Sequence, residues 1–165
     1  MSKITIAALV ICFFITGCAT SGGPQQTQLQ IREFQTKAYE TNNTKMVMKA
    51  LLNVLQDDAF IVKEANTELG FMTASKEIDV ESKGSAFVAT LFMGSNAKWK
   101  KNSIIEATAN ISEFGTQTRV RMIFQTKTMD NKGGVVEVKQ IQDEQYYQDF
   151  FAKVDKGIFI EKEKL

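Results

Sequence analysis

The chain predicts an α+β domain, with two helices packed on a curved, mostly antiparallel sheet of about six strands. Three observations carry that prediction. Val47, Ala50, Leu51, Val54 and Leu55 fall at i, i+3, i+4, i+7 and i+8, one apolar stripe of a helix. Residues 105–141 hold three runs of strand character separated by turn residues, which reads as hairpins in series. Tyr147, Phe150, Phe151, Val154 and Ile158 mark a second helical stripe near the C-terminus.

The N-terminus comes first in the chain and has the parts of an export signal. Lys3 supplies a positive start, and Ile4 to Ile15 form an apolar run. Twelve residues of helix reach about 18 Å, short of a hydrocarbon core of about 30 Å. A permanent spanning helix is therefore not expected. Ile15-Thr16-Gly17-Cys18 follows and resembles the bacterial lipobox, with Ile15 standing where Leu is usual. The resemblance implies a diacylglyceryl group on the Cys18 thiol, cleavage between Gly17 and Cys18, and acylation of the new amine. Three chains exceed the two signals that stable anchoring requires. An ordinary secretory signal with a nearby cysteine is the alternative. Residue 19 is Ala, not Asp, and in bacteria with two membranes lipoproteins of that kind are typically sorted to the outer membrane. The expected organisation is a signal peptide over residues 1–17, a lipidated N-terminus and flexible linker over 18–30, and a single domain over 31–165.

Composition removes several kinds of function. Lys3 is the only charged residue in the leader, so the mature chain balances 19 acidic residues with as many basic ones. Nucleic-acid binding calls for a basic excess, and none exists. Cys12 leaves with the leader and Cys18 takes lipid, so no intramolecular disulfide is expected. The chain contains no histidine, which removes the commonest general base and metal ligand. With no free thiol either, neither a catalytic triad nor a zinc site can be assembled. No catalytic residue, metal or cofactor is predicted beyond the covalent lipid on Cys18.

Ala19 to Gln30 reads as a polar linker, at most about 40 Å when extended. Arg32 to Thr41 alternates, placing Phe34, Thr36 and Ala38 on one face of a strand and Glu33, Gln35 and Lys37 on the other. Thr41-Asn42-Asn43-Thr44 offers N-caps to the first helix, whose stripe Met48 and Leu52 widen. Phe60 to Ala65 and Phe71 to Glu77 form a hairpin around Asn66–Gly70, with Phe71 and Met72 competing for the inner face.

Ser82 to Trp99 differs from the rest. An apolar run from Ala86 to Met93 lies between Gly84 and Gly94, and Lys98, Trp99, Lys100 and Lys101 follow. Eight residues cannot span a bilayer. A buried strand or a loop over the sheet accounts for the pattern, and so does contact with a membrane interface or a partner groove. Phe87, Leu91, Phe92 and Trp99 are the candidate contact residues.

Ile105, Ala107, Ala109 and Ile111 alternate with polar residues, and Glu113-Phe114-Gly115 turns the chain. Val120, Met122, Phe124 and Thr126 share a face of the next strand. Asp130–Gly134 marks the turn into Val135 to Ile141. The last helix starts near Asp143 and Glu144, whose charges suit a helix N-terminus. Gly157 is expected to weaken or end it, with Ile158, Phe159 and Ile160 packing beyond. Glu161 to Lys164 reads as a solvated tail. Asp57, Asp58, Glu64 and Glu68 read as solvated acids rather than a catalytic cluster, and Tyr146 and Tyr147 as packing residues.

Several stretches carry a wider resemblance: Arg32-Glu33-Phe34-Gln35-Thr36, Val54 to Phe60, Leu69-Gly70 before Ala74-Ser75-Lys76, and Tyr147 to Val154 with Phe159-Ile160-Glu161. Together these resemble a family of small bacterial lipoproteins of largely unknown function, over about residues 31–161. The element order is more distantly similar to the helix-grip domains of a lipoprotein component of the outer-membrane β-barrel assembly machinery, an analogy of architecture only. With no catalytic constellation in the sequence, two readings remain, and the first is a non-catalytic, membrane-anchored accessory module that binds an envelope protein or complex through a strand edge or residues 82–99. The other reading is a carrier or sensor holding an apolar ligand between sheet and helices.

Overall fold

The computed structural model describes residues 26–78, 102–130 and 132–163. The chain runs helix α1 (Gln28–Phe34), strand β1 (Thr36–Tyr39), helix α2 (Thr44–Asp57), and strands β2 (Ile61–Asn66) and β3 (Phe71–Ile78). Strands β4 (Asn102–Phe114), β5 (Gln117–Met129) and β6 (Val135–Gln140) and helix α3 (Glu144–Glu163) complete it. The α+β prediction holds: six strands form one open sheet in which every pairing is antiparallel. The order is β1, β5, β4, β3, β2, with β6 also on β5. β1 pairs with residues 118–121 of β5 and β6 with residues 125–129, so the two short strands share one edge of a long one.

The first helical stripe folds as its periodicity predicts. Asn43 caps α2 by accepting from the Met46 amide (2.9 Å), and Val47, Ala50, Leu51, Val54 and Leu55 are all buried. Each large apolar side chain so removed from water contributes about 2 kcal/mol before entropy is counted. The helix closes in a Schellman motif: Phe60 N–H donates to Leu55 O (2.8 Å), Ala59 N–H to Gln56 O (2.9 Å), and Ala59 takes φ 63°. Phe60, at the exit, packs into the same core as Leu55. On the sheet, Met72, Ala74, Ile105, Ala107, Ala109, Ile111, Val120, Met122 and Phe124 face the helices. Met72 takes the inner position and Phe71 is half-buried, which resolves the register of β3.

Three expectations are corrected. The predicted strand over Arg32–Thr41 opens in a helix that ends at Phe34, giving three helices among the described residues where two were expected. Thr27 and Gln30 form a capping box: Gln30 N–H donates to Thr27 Oγ1 (3.3 Å) and Thr27 N–H to Gln30 Oε1 (2.8 Å). The helix takes in Gln28–Gln30, which composition assigns to the linker, and it buries Ile31. Only Thr36–Tyr39 is a strand, and its faces are the reverse of those predicted. Register sets Lys37 and Tyr39 beside the inward Val120 and Thr118, while Ala38 is exposed and Gln35 is fully buried. Second, Gly157 does not end α3, which continues to Glu163. A Cβ at Gly157 would lie 3.4 Å from the Ala50 Cβ, so the glycine permits close approach of α3 to α2. Third, Phe159 and Ile160 are exposed, and the supposed tail residue Glu161 is buried (7 %) and paired with Lys49 at 2.8 Å.

The join between β1 and β6 is closed by a side chain. Met122 N–H donates to Gln35 O (2.9 Å) on one side of the join, and Ile141 N–H to Phe124 O (2.9 Å) on the other. A complete antiparallel pair would also carry Phe124 N–H to Ile141 O. The Tyr147 hydroxyl stands in that position: it accepts from Phe124 N–H (3.1 Å) and donates to Ile141 O (3.0 Å). It accepts as well from Gln35 Nε2 (3.2 Å). One hydroxyl thereby has one donated and two accepted bonds, its full capacity.

Tyr147→Phe leaves the Phe124 amide and the Ile141 carbonyl without their buried partner, and is expected to destabilise the domain by about 2 kcal/mol in urea unfolding. Amide exchange at Phe124 should accelerate in the same variant. Gly70 has φ 63°, and a Cβ there would lie 1.9 Å from the Ile111 carbonyl oxygen. Gly70→Ala is therefore expected to lower stability by about 2 kcal/mol or more, read as a fall in melting temperature.

Candidate functional site

The residues singled out by sequence are distributed unevenly over the fold. Cys18, Phe87, Leu91, Phe92 and Trp99 lie outside the described residues. Tyr147 is fully buried and Tyr146 packs edge-on against Phe124, with centroids 4.9 Å apart. Burial pushes the phenol of Tyr146 up, as does the nearby Asp58 carboxylate. Asp58 itself accepts from Lys153 (2.5 Å), and its carbonyl accepts from Lys76 (2.7 Å). That arrangement ties the end of α2 to α3 and to β3. Among the described residues, no three His, Cys, Asp or Glu side chains gather as a metal site.

The layer between sheet and helices is filled by side chains. Phe124 lies at its centre, with the rings of Phe150, Tyr147 and Phe60 at 5.1, 5.5 and 6.0 Å. Met72, Met122, Leu51 and Val154 complete the packing. A groove of about 540 Å³ lies instead on the flank, between α1, β1 and α3. Phe34 and Phe151 supply its apolar lining, and Glu33, Glu144 and the Lys37–Asp155 pair (2.6 Å) its charges. Close by, burial and the charge of Asp155 push the Tyr39 phenol up, so that it stays protonated throughout the physiological range. A mixed polar lining of this kind differs from the mostly apolar cavity that a carrier of apolar ligands requires.

The sheet edges are the other feature able to bind a partner. β2 forms one edge and carries natural protection: a register shift between Val62 and Glu64, and exposed Lys63 and Glu64. The opposite edge is shared by β1, four residues long, and β6. In β6, Ile141 N–H and Lys139 O are directed to β5, so the odd-numbered residues face their partner strand. The backbone groups of Val138 and Gln140 consequently point away from the sheet, while Val136 lies at a register shift opposite Thr128 and Met129. No strand pairs with them among the described residues. Val135, Val136 and Val138 are 54, 52 and 53 % exposed, an unusual density of β-branched apolar surface on an open edge. Sequence analysis identifies the strand itself, but its edge position comes from pairing with distant residues.

Lys127, which stands opposite Val138, is drawn to Glu106 at 2.8 Å, and Gln125 donates to the same carboxylate (2.8 Å). These two hydrogen bonds hold the Glu106 carboxyl below the usual carboxylate range. A depressed folded-state pKa contributes stability that is present above the unfolded value and is lost as pH falls through the folded one. Glu106→Gln should therefore lower the melting temperature at pH 7, and the difference from wild type should shrink steadily below about pH 4.

No family model matches the chain, and no curated protein matches it. Among solved structures, the chain is similar to a DUF4468 family protein from Bacteroides ovatus ATCC 8483. The identity is 9 %, over 74 % of this chain and 84 % of that one, with a TM-score of 0.43. A likeness of that degree concerns overall shape and transfers no residue roles.

Proposed function

We propose that the protein is a non-catalytic, lipid-anchored accessory module of the bacterial envelope. The lipid on Cys18 holds the domain at a membrane, with the periplasmic side of the outer membrane favoured by Ala19. The domain then works by strand addition, its β6 edge accepting an extended segment of a protein partner. The observation that carries this reading is the edge of β6, where backbone groups with no strand partner among the described residues coincide with three exposed valines. Main-chain hydrogen bonds supply affinity in such a contact, and the valines supply apolar area.

The filled layer around Phe124 weighs against a carrier of apolar ligands, which needs an internal cavity. Phe87, Leu91, Phe92 and Trp99 form the second candidate contact, through the apolar segment that enters β4.

Two measurements test the proposal. Wild-type protein is expected to incorporate a labelled fatty acid and to pellet with membranes, and Cys18→Ser to do neither. Labelling of the serine variant would overturn the anchor. In cells, a photocrosslinking residue replacing Val136 or Val138 is expected to form a discrete protein adduct, whereas one replacing Phe92 or Trp99 reports on the other surface. Absence of adducts from all four positions would overturn the binding role.

A further inference from the structure

We infer that the strand received by β6 is β6 of a second copy, paired antiparallel about a two-fold axis at Val138. This names the occupant of the docking edge proposed above and rests on that reading. Two features of the strand together select this register: the backbone sets the parity, and the charges choose among the registers that the parity allows. The first is the backbone. Val138 and Gln140 direct their N–H and C=O groups outward, so an antiparallel partner must match even-numbered residues to even-numbered residues there; Val136 lies at a register shift opposite Thr128 and Met129. With the axis at Val138, Val138 pairs with its own copy, and Gln140 stands opposite the bulged Val136 of the second copy on both sides of the axis. The outward groups of Val138 then find their complement in the same residue of the second copy.

The second feature is charge. Glu137 and Lys139 flank Val138, are exposed, and make no ion pair among the described residues. In this register Glu137 stands opposite Lys139 of the second copy, and Lys139 opposite its Glu137. These are non-hydrogen-bonded positions, where cross-strand side chains approach most closely, with Cα atoms about 4.5 Å apart. Moving the axis by one residue sets Glu137 against Glu137, or Lys139 against Lys139, and like charges directly opposite are unfavourable. Of the central registers that the backbone allows, the one centred on Val138 sets both charges against their complements, which suits the strand to self-recognition. The resulting dimer has one continuous twelve-stranded sheet, with the helices of both copies on the same face. Confinement of anchored chains to a membrane raises their effective concentration and favours a contact of this modest size.

The test uses the full-length lipidated protein in a mild detergent, followed by sedimentation velocity across a concentration series. Wild type is expected to pass from monomer to dimer. Glu137→Lys and Lys139→Glu should each weaken dimerisation about tenfold, because two opposite-charge pairs per dimer become like-charge pairs. A mixture of the two variants should associate again, since one chain then offers two lysines and the other two carboxylates. The double variant Glu137→Lys/Lys139→Glu should recover self-association. Unchanged melting temperatures would show that all variants fold, as expected for exposed positions. A monomer at all concentrations, or a dimer indifferent to both reversals, overturns the inference. A monomeric wild type whose Val138 position crosslinks in cells to a different protein overturns self-pairing and leaves the docking edge in place. A monomer with no crosslink from β6 overturns both.

Discussion

The Tyr147 hydroxyl is the constraint on which the arrangement depends, because it bonds at once to three parts of the chain that meet at the join in the sheet edge. It takes the Phe124 amide of β5, returns a hydrogen bond to the Ile141 carbonyl at the end of β6, and receives the Gln35 amide at the entrance to β1. All these groups are buried, where a missing partner costs about 1–3 kcal/mol each. Helix α3 therefore cannot slide along the sheet without opening the ladder. β1 and β6 cannot both lie on β5 unless something fills the interval between them. The aromatic ring that carries the hydroxyl is equally constrained, tilted against Phe34 at 5.3 Å and Phe124 at 5.5 Å.

That solution has a consequence for the surface. An edge divided between two short strands leaves β6 with one side on β5 and the other without a strand partner among the described residues. The interior offers nothing comparable, since its aromatic and methionine side chains fill the space between the layers. The proposed function therefore rests on two features, Cys18 for where the domain would be held and the β6 edge for what it would pair with.

Local pattern revealed much of the fold, and its failures have identifiable physical causes. The stripe Val47 to Leu55 and the alternation in β4 and β5 describe burial correctly, because each element has one dry face and one wet face. Residues 32–41 misled because Phe34, Thr36 and Ala38 happen to alternate across a helix end. The signal that identifies α1 is Thr27 followed three residues later by Gln30, a capping pair that lies within a stretch otherwise polar enough to resemble linker. Gly157 has the helix propensity of a breaker, yet contact with Ala50 outweighs a propensity cost of about 1 kcal/mol. Glu161 resembles a solvated acid until Lys49, far away in sequence, is brought beside it.

Residue order was enough for the α+β class, the inner face of the central strands and the main helical stripe. These follow from periodicity, turn residues and short motifs, all of which act over a few residues. Three outcomes came from the assembled fold instead: β1 and β6 share one strand, a tyrosine hydroxyl completes their join, and the exposed valines stand on an open edge. They depend on which distant segments meet, and hydrogen-bond completion across the gap is a property of the assembled sheet rather than of any local run of residues.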